Sequence, residues 1–194
     1  MKIILASKSG VRKEILDKYN IDNEVVISNV DEDEIKASLL AEGANPLSIS
    51  KNLAEIKSIK VSIKNPDRLV LGADSVISLN EELINKPNSR KNAFDILKKL
   101  NNSKHYLISS ACISKNGAMI WNHTDSSELK MKNFTDDQLS AYLNKINTKI
   151  LLAYGVYQIE AGGLELFEYV NGDREAIMGL PVKEIINYIK QFKQ

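Results

Sequence analysis

Apolar runs and helically spaced apolar stripes alternate along this chain. Short apolar runs bounded by polar or turn residues predict buried strands at 2–6, 24–28, 69–73, 75–79 and 165–170. Apolar positions spaced by three or four residues predict helices that begin near residues 10, 31, 46, 89, 135 and 181. This alternation of the two kinds of element is typical of an α/β protein.

A long hairpin interrupts the alternation. Residues 105–113 predict a long strand, Asn116-Gly117 has the composition of a tight turn, and 118–123 predict the returning strand. Residues 128–132 favour one further strand. The pattern therefore predicts a mixed α/β fold with a central sheet and helices packed on it.

Several predicted helices begin with a recognisable start signal. Ser89 has the composition of an N-cap, and Thr135 with Gln138 forms the pattern of a capping box. Pro46 and Pro181 are predicted to be first helical residues, because proline fits the first turn and lacks the N–H that would be unpaired there.

The junction between the first strand and the first helix has the composition of an anion-binding site. The apolar run ends at Ala6 and is followed by Ser7, Lys8, Ser9 and, one helical turn later, Arg12. Free backbone N–H groups at a helix N-terminus bind phosphate readily, and nearby cations strengthen that binding. An ordinary N-cap at Ser9 with solvated lysines is the competing interpretation. We expect Lys8 to be solvated in either case.

Length and composition limit the remaining possibilities. With 194 residues and 43% hydrophobic positions, we expect one domain over 1–194 that buries its own core. The net charge of +1, with no basic stripe, argues against a nucleic-acid partner. No apolar run approaches the roughly 18 residues of a membrane span, so we expect no membrane association and a cytoplasmic location. The single cysteine, Cys112, excludes a disulfide framework and is predicted to be a core residue.

Charged residues at two predicted strand ends and on one helix could carry chemistry. Asp74 directly follows the buried run 69–73, where ligands bind in open α/β sheets, and a carboxylate there can hold a metal or accept a proton. Lys57 interrupts the apolar stripe of the Pro46 helix, and Lys86 follows a short strand. A turn aspartate and snorkelling lysines are the alternatives. Neither His105 nor His123 has a partner at metal-ligand spacing.

In their order along the chain, these residues resemble the Maf family of nucleotide pyrophosphatases. The resemblance covers nearly the whole chain, and it is the ordered set of short motifs that is specific rather than any one of them. The motifs are Leu5-Ala-Ser-Lys-Ser-Gly-Val-Arg12, Val30-Asp31-Glu32, Ala54-Glu-Ile-Lys57, Gly72-Ala-Asp-Ser75, Asn85-Lys86-Pro87, Asn171-Gly-Asp173 and Gly179-Leu-Pro181.

The resemblance implies a fold, an activity and a set of site residues. It implies a mixed twisted central sheet with helices on both sides and two lobes around a cleft, as in Maf and inosine triphosphatase-like proteins. It also implies hydrolysis of nucleoside triphosphates to a monophosphate and pyrophosphate. Asp74 would activate water, and a divalent cation, Mg²⁺ or Mn²⁺, would lie at Asp74 and Glu32. The substrate phosphates would be bound by Ser7, Ser9, Arg12, Lys57 and Lys86.

Three positions that the family ties to substrate choice are Val11, Ser75 and Glu160 in this chain. Members that act on dTTP and UTP carry Arg, Thr and Gln there, and members that act on 7-methyl-GTP carry Trp, Gln and Glu. The chain agrees with the second group at Glu160 and resembles the first only through the hydroxyl of Ser75. The preferred base is therefore open between these two kinds of substrate.

A second function remains compatible with the sequence. A catalytically silent nucleotide-binding regulator of cell division would keep the fold, and the absence of an arginine at Val11 favours it. The presence of Asp74, Lys57 and Lys86 argues for the enzyme, because a protein that only binds has no need of a base. The resemblance also implies a homodimer, and Trp121 on the hairpin is predicted to lie in the core or in a dimer interface.

Overall fold

A mixed sheet forms the centre of the protein. The computed structural model describes residues 1–159 and 162–193, and within them seven strands form one sheet in the order β2-β1-β3-β5-β6-β7, with β4 paired to β3. The pairings among β1, β2 and β3 are parallel and the others are antiparallel. The strands are β1 (Ile3–Leu5), β2 (Asn23–Val25), β3 (Val70–Leu79), β4 (Glu82–Ile84), β5 (Lys104–Lys115), β6 (Ala118–Met131) and β7 (Phe167–Asn171).

Helices cover both faces of this sheet. The α-helices in the described residues are α1 (Gly10–Lys18), α2 (Glu32–Ala41), α3 (Pro46–Ser62), α4 (Arg90–Leu100), α5 (Asp136–Asn144), α6 (Thr148–Tyr154), α7 (Arg174–Ile177) and α8 (Val182–Lys190). Leu71 packs with Ile15 of α1 and Ile185 of α8 on one face, while Val70 packs with Val61 of α3 on the other. The prediction of a mixed α/β fold is confirmed.

A second apolar cluster lies under α4, α5 and α6, and includes Leu97, Leu139 and Leu151. Side chains packed in both clusters reach the same cleft: Val11 belongs to the cluster around α1, and Ile96 and Val156 belong to the second. The cleft therefore lies between two apolar clusters that pack on different parts of one sheet. This agrees with the predicted arrangement of two lobes around a cleft.

The predicted helix starts agree closely with the structure. Ser89 accepts a hydrogen bond from the N–H of Asn92, and both bonds of the Thr135 capping box are present. Pro46 is the first residue of α3. Pro181 is an exception, because its ψ of 70° is not helical and α8 begins one residue later at Val182.

Strand predictions were less accurate where polar residues continue a strand. The runs 69–73 and 75–79 are one strand, β3, because β5 pairs with it without interruption from Val70 to Ser78. Asp74 consequently lies inside a strand rather than at its end, which corrects the sequence prediction. Residues 128–131 are the end of β6, so the predicted strand 128–132 is not a separate one. The start of the predicted strand 165–170 belongs to a 3-10 helix, Gly163–Leu166. Helices α6 and α7 were not predicted, since seven and four residues carry too short a stripe.

The overhang of β3 beyond β1 creates the opening for the site. On this side β3 pairs with β1 at Val70 and Leu71 and with β4 from Ile77 to Leu79. Between these two pairings, residues 72–76 have no strand beside them on this edge in the described part of the chain. Asp74 and Ser75 lie in this interval.

Cys112 and Trp121 have the environments expected for structural residues. The thiol of Cys112 is buried next to the hydroxyl of Ser58, and burial raises its pKa. Trp121 is half-buried and its ring stacks on Tyr188 of α8. Across residues 1–159 and 162–193, no helix is both long enough and apolar enough to cross a membrane.

Burial of His105 makes the stability of the fold depend on pH. The ring is fully buried, its Nε2 lies 3.0 Å from the hydroxyl of Tyr157, and burial lowers the pKa of His105 from 6.5 to about 4. Between these pH values the unfolded chain binds a proton at this ring and the folded protein does not. The stabilisation is therefore complete above pH 6.5 and is lost as the pH falls toward 4.

We expect His105→Gln to remove much of this pH dependence. Each pKa unit corresponds to about 1.4 kcal/mol, so the wild-type protein should lose about 3 kcal/mol more than this variant between pH 6.5 and 4. Urea unfolding of both proteins across that range measures the difference. Tyr157→Phe is the matched control, because it removes the hydrogen bond but keeps the ring and should retain the wild-type slope. Parallel pH profiles for the wild type and His105→Gln would contradict the expectation.

Candidate functional site

A cleft of about 410 Å³ opens at the unpaired interval of β3. Its walls come from the start of α1, from α3, β3 and β4, and from the segments 153–159 and 177–179. The structure brings into this cleft every predicted site residue that it describes, although these are far apart in the sequence. They are Ser7, Ser9, Val11, Arg12, Glu32, Lys57, Asp74, Ser75 and Lys86. Glu160 lies outside the described residues.

Asp74, Lys57 and Glu32 form a chain of charges in the cleft. The Nζ of Lys57 lies 2.7 Å from Oδ1 of Asp74 and 2.8 Å from Oε1 of Glu32. Lys57 and Asp74 are both nearly completely buried, while the Glu32 side chain is 40% exposed. Burial alone would raise the pKa of Glu32, but the charge and hydrogen bond of Lys57 outweigh it and lower that pKa. One ammonium thus holds two carboxylates close together.

The second oxygen of Asp74 has a different environment. Oδ2 is buried, and among the described residues it has no hydrogen-bond partner. A buried polar atom without a partner is costly, so such an atom in a native protein points to a missing ligand, water or ion. Asp74 therefore presents an oxygen that could bind a cation or accept a proton.

This donor set fits a divalent cation of the Mg²⁺ type. Hard cations prefer carboxylate oxygens, and Mg²⁺ is commonly held by one or two carboxylates together with water and substrate phosphates. Asp74 and Glu32 supply two such groups. In the described residues no group of three or more His, Cys, Asp or Glu side chains could hold a metal alone. Other ligands, such as water, would have to complete the coordination of a cation held by these two carboxylates.

The start of α1 combines an N-cap with the features of an anion site. The Oγ of Ser9 accepts a hydrogen bond from the N–H of Arg12, so Ser9 is the N-cap of the helix. Ser7 Oγ accepts from the N–H of Ser9. Both serines line the cleft, where the positive end of the helix dipole faces the site. Ser9 can therefore be an ordinary N-cap while the same segment forms an anion-binding site, so the two interpretations of the sequence are compatible.

Arg12 connects three parts of the cleft wall. Its Nε donates to the carbonyl of Gly179 at 2.9 Å, and its Nη1 donates to the carbonyl of Ala73 at 2.9 Å and to Ser7 Oγ at 3.2 Å. Its Nη2 donates to Ser75 Oγ at 3.2 Å. Four of the five N–H groups of the guanidinium are therefore used by the protein itself. One N–H of the guanidinium has no acceptor among the described residues.

Lys86 contributes a second cation at the rim of the cleft. Its Nζ donates to the carbonyl of Ala153 at 3.0 Å. Loss of hydration lowers the pKa of Lys86, and the positive charge of Arg12 lowers it further. The negative charges of Glu32 and Asp74 act in the opposite direction. An anion placed between these cations would relieve their mutual repulsion.

Several cleft residues were missed in the sequence. The segment 153–159 carries only short apolar stretches, and Lys36 resembles any helix-surface lysine. The glycines at 155 and 179 are the best signal for these segments in the sequence, because glycine readily adopts a positive φ. In the structure their φ values are 105° and 107°, and the chain turns at the cleft at both positions. The two described specificity positions, Val11 and Ser75, line the wall, and Ser75 Oγ lies 2.8 Å from Ser109 Oγ.

Fold and site together define an α/β protein whose cleft places a buried, partly unpartnered carboxylate among several cations. Comparison with known proteins makes the assignment more specific. The chain belongs to the family described as Maf-like protein, which matches residues 2–192.

Among its curated relatives is a protein of Pelagibacter ubique named nucleoside triphosphate pyrophosphatase. It is 56% identical over 192 residues, which cover 99% of this chain and 98% of the relative. A protein of Brucella abortus named 7-methyl-GTP pyrophosphatase is 32% identical and covers 100% of this chain and 97% of its own length. Among solved structures, the Ham1 protein of Staphylococcus aureus matches 68% of this chain and 72% of its own, with 17% identity and a TM-score of 0.40.

Proposed function

We propose that this protein hydrolyses nucleoside triphosphates to the monophosphate and pyrophosphate, with Asp74 as the residue that activates water. The observation that carries the proposal is the Asp74 carboxylate, with Oδ1 held by Lys57 and Oδ2 buried without a partner. The names of the Pelagibacter and Brucella relatives, at 56% and 32% identity, support the same activity.

The proposed reaction has a simple balance of bonds. Water attacks the α-phosphorus, the bond between this atom and the α–β bridging oxygen breaks, and pyrophosphate leaves. Asp74 accepts a proton from the attacking water through its unpartnered oxygen. Lys57 holds the other carboxylate oxygen and so fixes the orientation of the base.

The phosphates would be bound by the cations around Asp74. The N-terminus of α1, with Ser7 and Ser9, offers hydrogen-bond donors, and Lys86 offers a positive charge. Arg12 would act mainly by holding Ser7 and the β3 backbone in place. Together these groups would oppose the negative charge of a triphosphate and keep it oriented for in-line attack.

Asp74 and Glu32 would hold a divalent cation, Mg²⁺ or Mn²⁺. When bound, such a cation neutralises charge on the phosphates and makes a coordinated water easier to deprotonate. Both carboxylates contact Lys57, but Asp74 is buried and has an oxygen without a partner in the described residues, whereas the Glu32 side chain is 40% exposed. We therefore expect Glu32 to be the weaker of the two ligands.

The base preference of the enzyme would depend on Val11, Ser75 and Glu160. Val11 offers neither a guanidinium nor an indole ring to a base, whereas the carboxylate of Glu160 could accept hydrogen bonds from the donor edge of a guanine. The Brucella relative is named for 7-methyl-GTP. We therefore propose 7-methyl-GTP and dTTP or UTP as the first substrates to test.

Pyrophosphate release from a panel of triphosphates tests the proposal. The purified protein with Mg²⁺ or Mn²⁺ should release equal amounts of pyrophosphate and monophosphate from at least one of the standard and methylated nucleotides. Calorimetry on the same panel measures binding. Binding without any pyrophosphate release would favour the silent regulator and overturn the proposed reaction.

A further inference from the structure

Two serines lie opposite each other on neighbouring strands beside the cleft. Ser75 of β3 pairs in register with Ser109 of β5, and their hydroxyl oxygens are 2.8 Å apart. Ser75 lines the cleft and is half-buried, whereas Ser109 is only 1% exposed and does not line the cleft. Any effect of Ser109 on a ligand would therefore have to pass through a neighbour such as Ser75.

The hydrogen bonds around this pair determine which hydroxyl donates to the other. A serine hydroxyl has one proton to donate and can accept two hydrogen bonds. Within residues 1–159 and 162–193, the oxygen of Ser75 is the only hydrogen-bond partner of the Ser109 hydroxyl. A donor that is buried without an acceptor is costly, and Ser109 is buried from solvent. Ser109 therefore donates its proton to Ser75.

Both acceptor positions of the Ser75 oxygen are consequently occupied. This oxygen also accepts a hydrogen bond from Nη2 of Arg12 at 3.2 Å. Because Arg12 and Ser109 both donate to it, the Ser75 hydroxyl has only its own proton left for the cleft. The opposite arrangement, in which Ser75 donates to Ser109, would leave the proton of Ser109 buried without an acceptor. Ser75 is therefore a hydrogen-bond donor toward a ligand.

The position of Ser75 indicates which part of a nucleotide it would meet. Alternate residues of a strand share one face of the sheet, so Ser75 lies on the same face as Ile77 and on the opposite face from Asp74. Ile77 pairs with Leu107 of β5, and both line the cleft together with Ile177. This apolar wall suits a nucleoside base, and the Ser75 hydroxyl lies at its border.

We infer that Ser109 is a positioning residue that makes Ser75 a hydrogen-bond donor to the substrate base, so that a base with a carbonyl oxygen at the contacted position is preferred over one with an amino group. This inference rests on the proposed function and adds a residue outside the set predicted from the sequence. A carbonyl oxygen can accept from Ser75, whereas an amino group would place a second donor against it. Uracil and guanine carry a carbonyl oxygen where cytosine and adenine carry an amino group.

Calorimetry with nucleotides that cannot be cleaved between the α- and β-phosphates measures this preference without turnover. The probes are the α,β-methylene analogues of UTP, CTP, GTP and ATP, each with Mg²⁺. We expect the wild type to bind the carbonyl-bearing member of a pair, UTP over CTP or GTP over ATP, at least about 10-fold more tightly. Ser109→Ala should reduce this ratio to less than about 3-fold, because Ser75 could then turn its proton away and accept from an amino group.

Two further substitutions show whether Ser109 acts through Ser75. Ser110→Ala is the matched control, since Ser110 is the next residue of β5, is equally buried and bonds to Ser50 and Thr124 instead. It should keep the wild-type ratio. Ser75→Ala should abolish the preference, and adding Ser109→Ala to it should change nothing more. Thermal unfolding checks that each variant is folded.

The outcomes separate this inference from the proposed function. A wild-type ratio in Ser109→Ala, or an effect of Ser109→Ala that persists without the Ser75 hydroxyl, would overturn the role of Ser109. So would a wild type that prefers the amino-bearing analogues or binds none of the four. Pyrophosphate release from the natural nucleotides tests the reaction itself. Release without a preference for carbonyl-bearing bases would keep the enzyme and reject this inference, whereas the preference without release would support the inference and reject the reaction.

Discussion

Asp74→Asn is expected to reduce pyrophosphate release by at least about 100-fold, the range that a positioned general base contributes. The amide has nearly the same shape as the carboxylate but cannot take a proton from water and binds a divalent cation poorly. The buried Oδ2 of the wild type has no hydrogen-bond partner in the described residues, so an amide nitrogen at that position would replace no hydrogen bond of this oxygen. Initial rates with the best substrate of the panel measure the effect.

Nucleotide binding should survive this substitution. Lys57 and Lys86 keep their positive charges, and the loss of one negative charge beside the phosphates should leave affinity unchanged or improve it. Calorimetry with the same nucleotide measures this, and Asp95→Asn, at an exposed position of α4, is the matched control for a general charge effect. An Asp74→Asn protein that is folded, binds nucleotide and retains wild-type rates would exclude Asp74 as the base.

The Lys57 contact complicates this substitution and gives a further check. Asp74→Asn removes one half of a buried ion pair, but Glu32 remains 2.8 Å from the same ammonium and keeps it neutralised. The fold should therefore tolerate the change. If thermal unfolding shows that the variant is folded, a lost rate reports on chemistry and not on structure.

Two of the candidate site residues could be recognised in the sequence because their chemistry is unusual for their setting. Asp74 is a carboxylate next to apolar strand residues, and Lys57 is a lysine within the apolar stripe of a helix. A charged group at either position would be costly to bury without a partner. The structure gives both groups a partner through one contact of 2.7 Å. Local signals were also sufficient for the helix starts, because an N-cap such as Ser89 acts through bonds to its own neighbours.

Features that depend on distant partners could not be predicted in this way. The continuous strand through Asp74 and Ser75 exists because β5 supplies hydrogen bonds along the whole edge, which no local pattern of β3 reveals. The sequence favours Arg12 as a phosphate ligand because it is a cation at the start of a helix. In the structure, however, most of its N–H groups donate to protein acceptors that are remote in sequence, such as the carbonyls of Ala73 and Gly179.

The geometry that brings Lys57 to Asp74 depends on a close approach between α3 and β3. At Gly72, two residues before Asp74, a Cβ would lie 2.1 Å from the carbonyl oxygen of Ala54 and 2.8 Å from the N–H nitrogen of Ser58. Both are backbone atoms of α3, so no side-chain rotation can make room. The helix or the strand would have to move, although both are buried over most of their length.

Gly72→Ala is therefore expected to destabilise the protein by about 3 kcal/mol, the upper end of the usual cost of overpacking, because the clash is with backbone atoms. For a protein of this size the melting temperature should fall by roughly 10 °C. Gly10→Ala is the matched control, since a Cβ at Gly10 meets nothing within 4 Å and alanine suits the first turn of α1. Thermal and urea unfolding of the two variants measure the difference.

A second substitution tests the cause of this instability. Ser58→Gly removes the Ser58 Cβ, which would lie 2.9 Å from the new methyl group, but leaves the Ala54 carbonyl in place. It should therefore fail to rescue Gly72→Ala. Rescue, or a melting temperature equal to that of the wild type, would show that α3 can move away from β3. Such a movement would also separate Lys57 from Asp74, so any folded Gly72→Ala protein should lose pyrophosphate release together with stability.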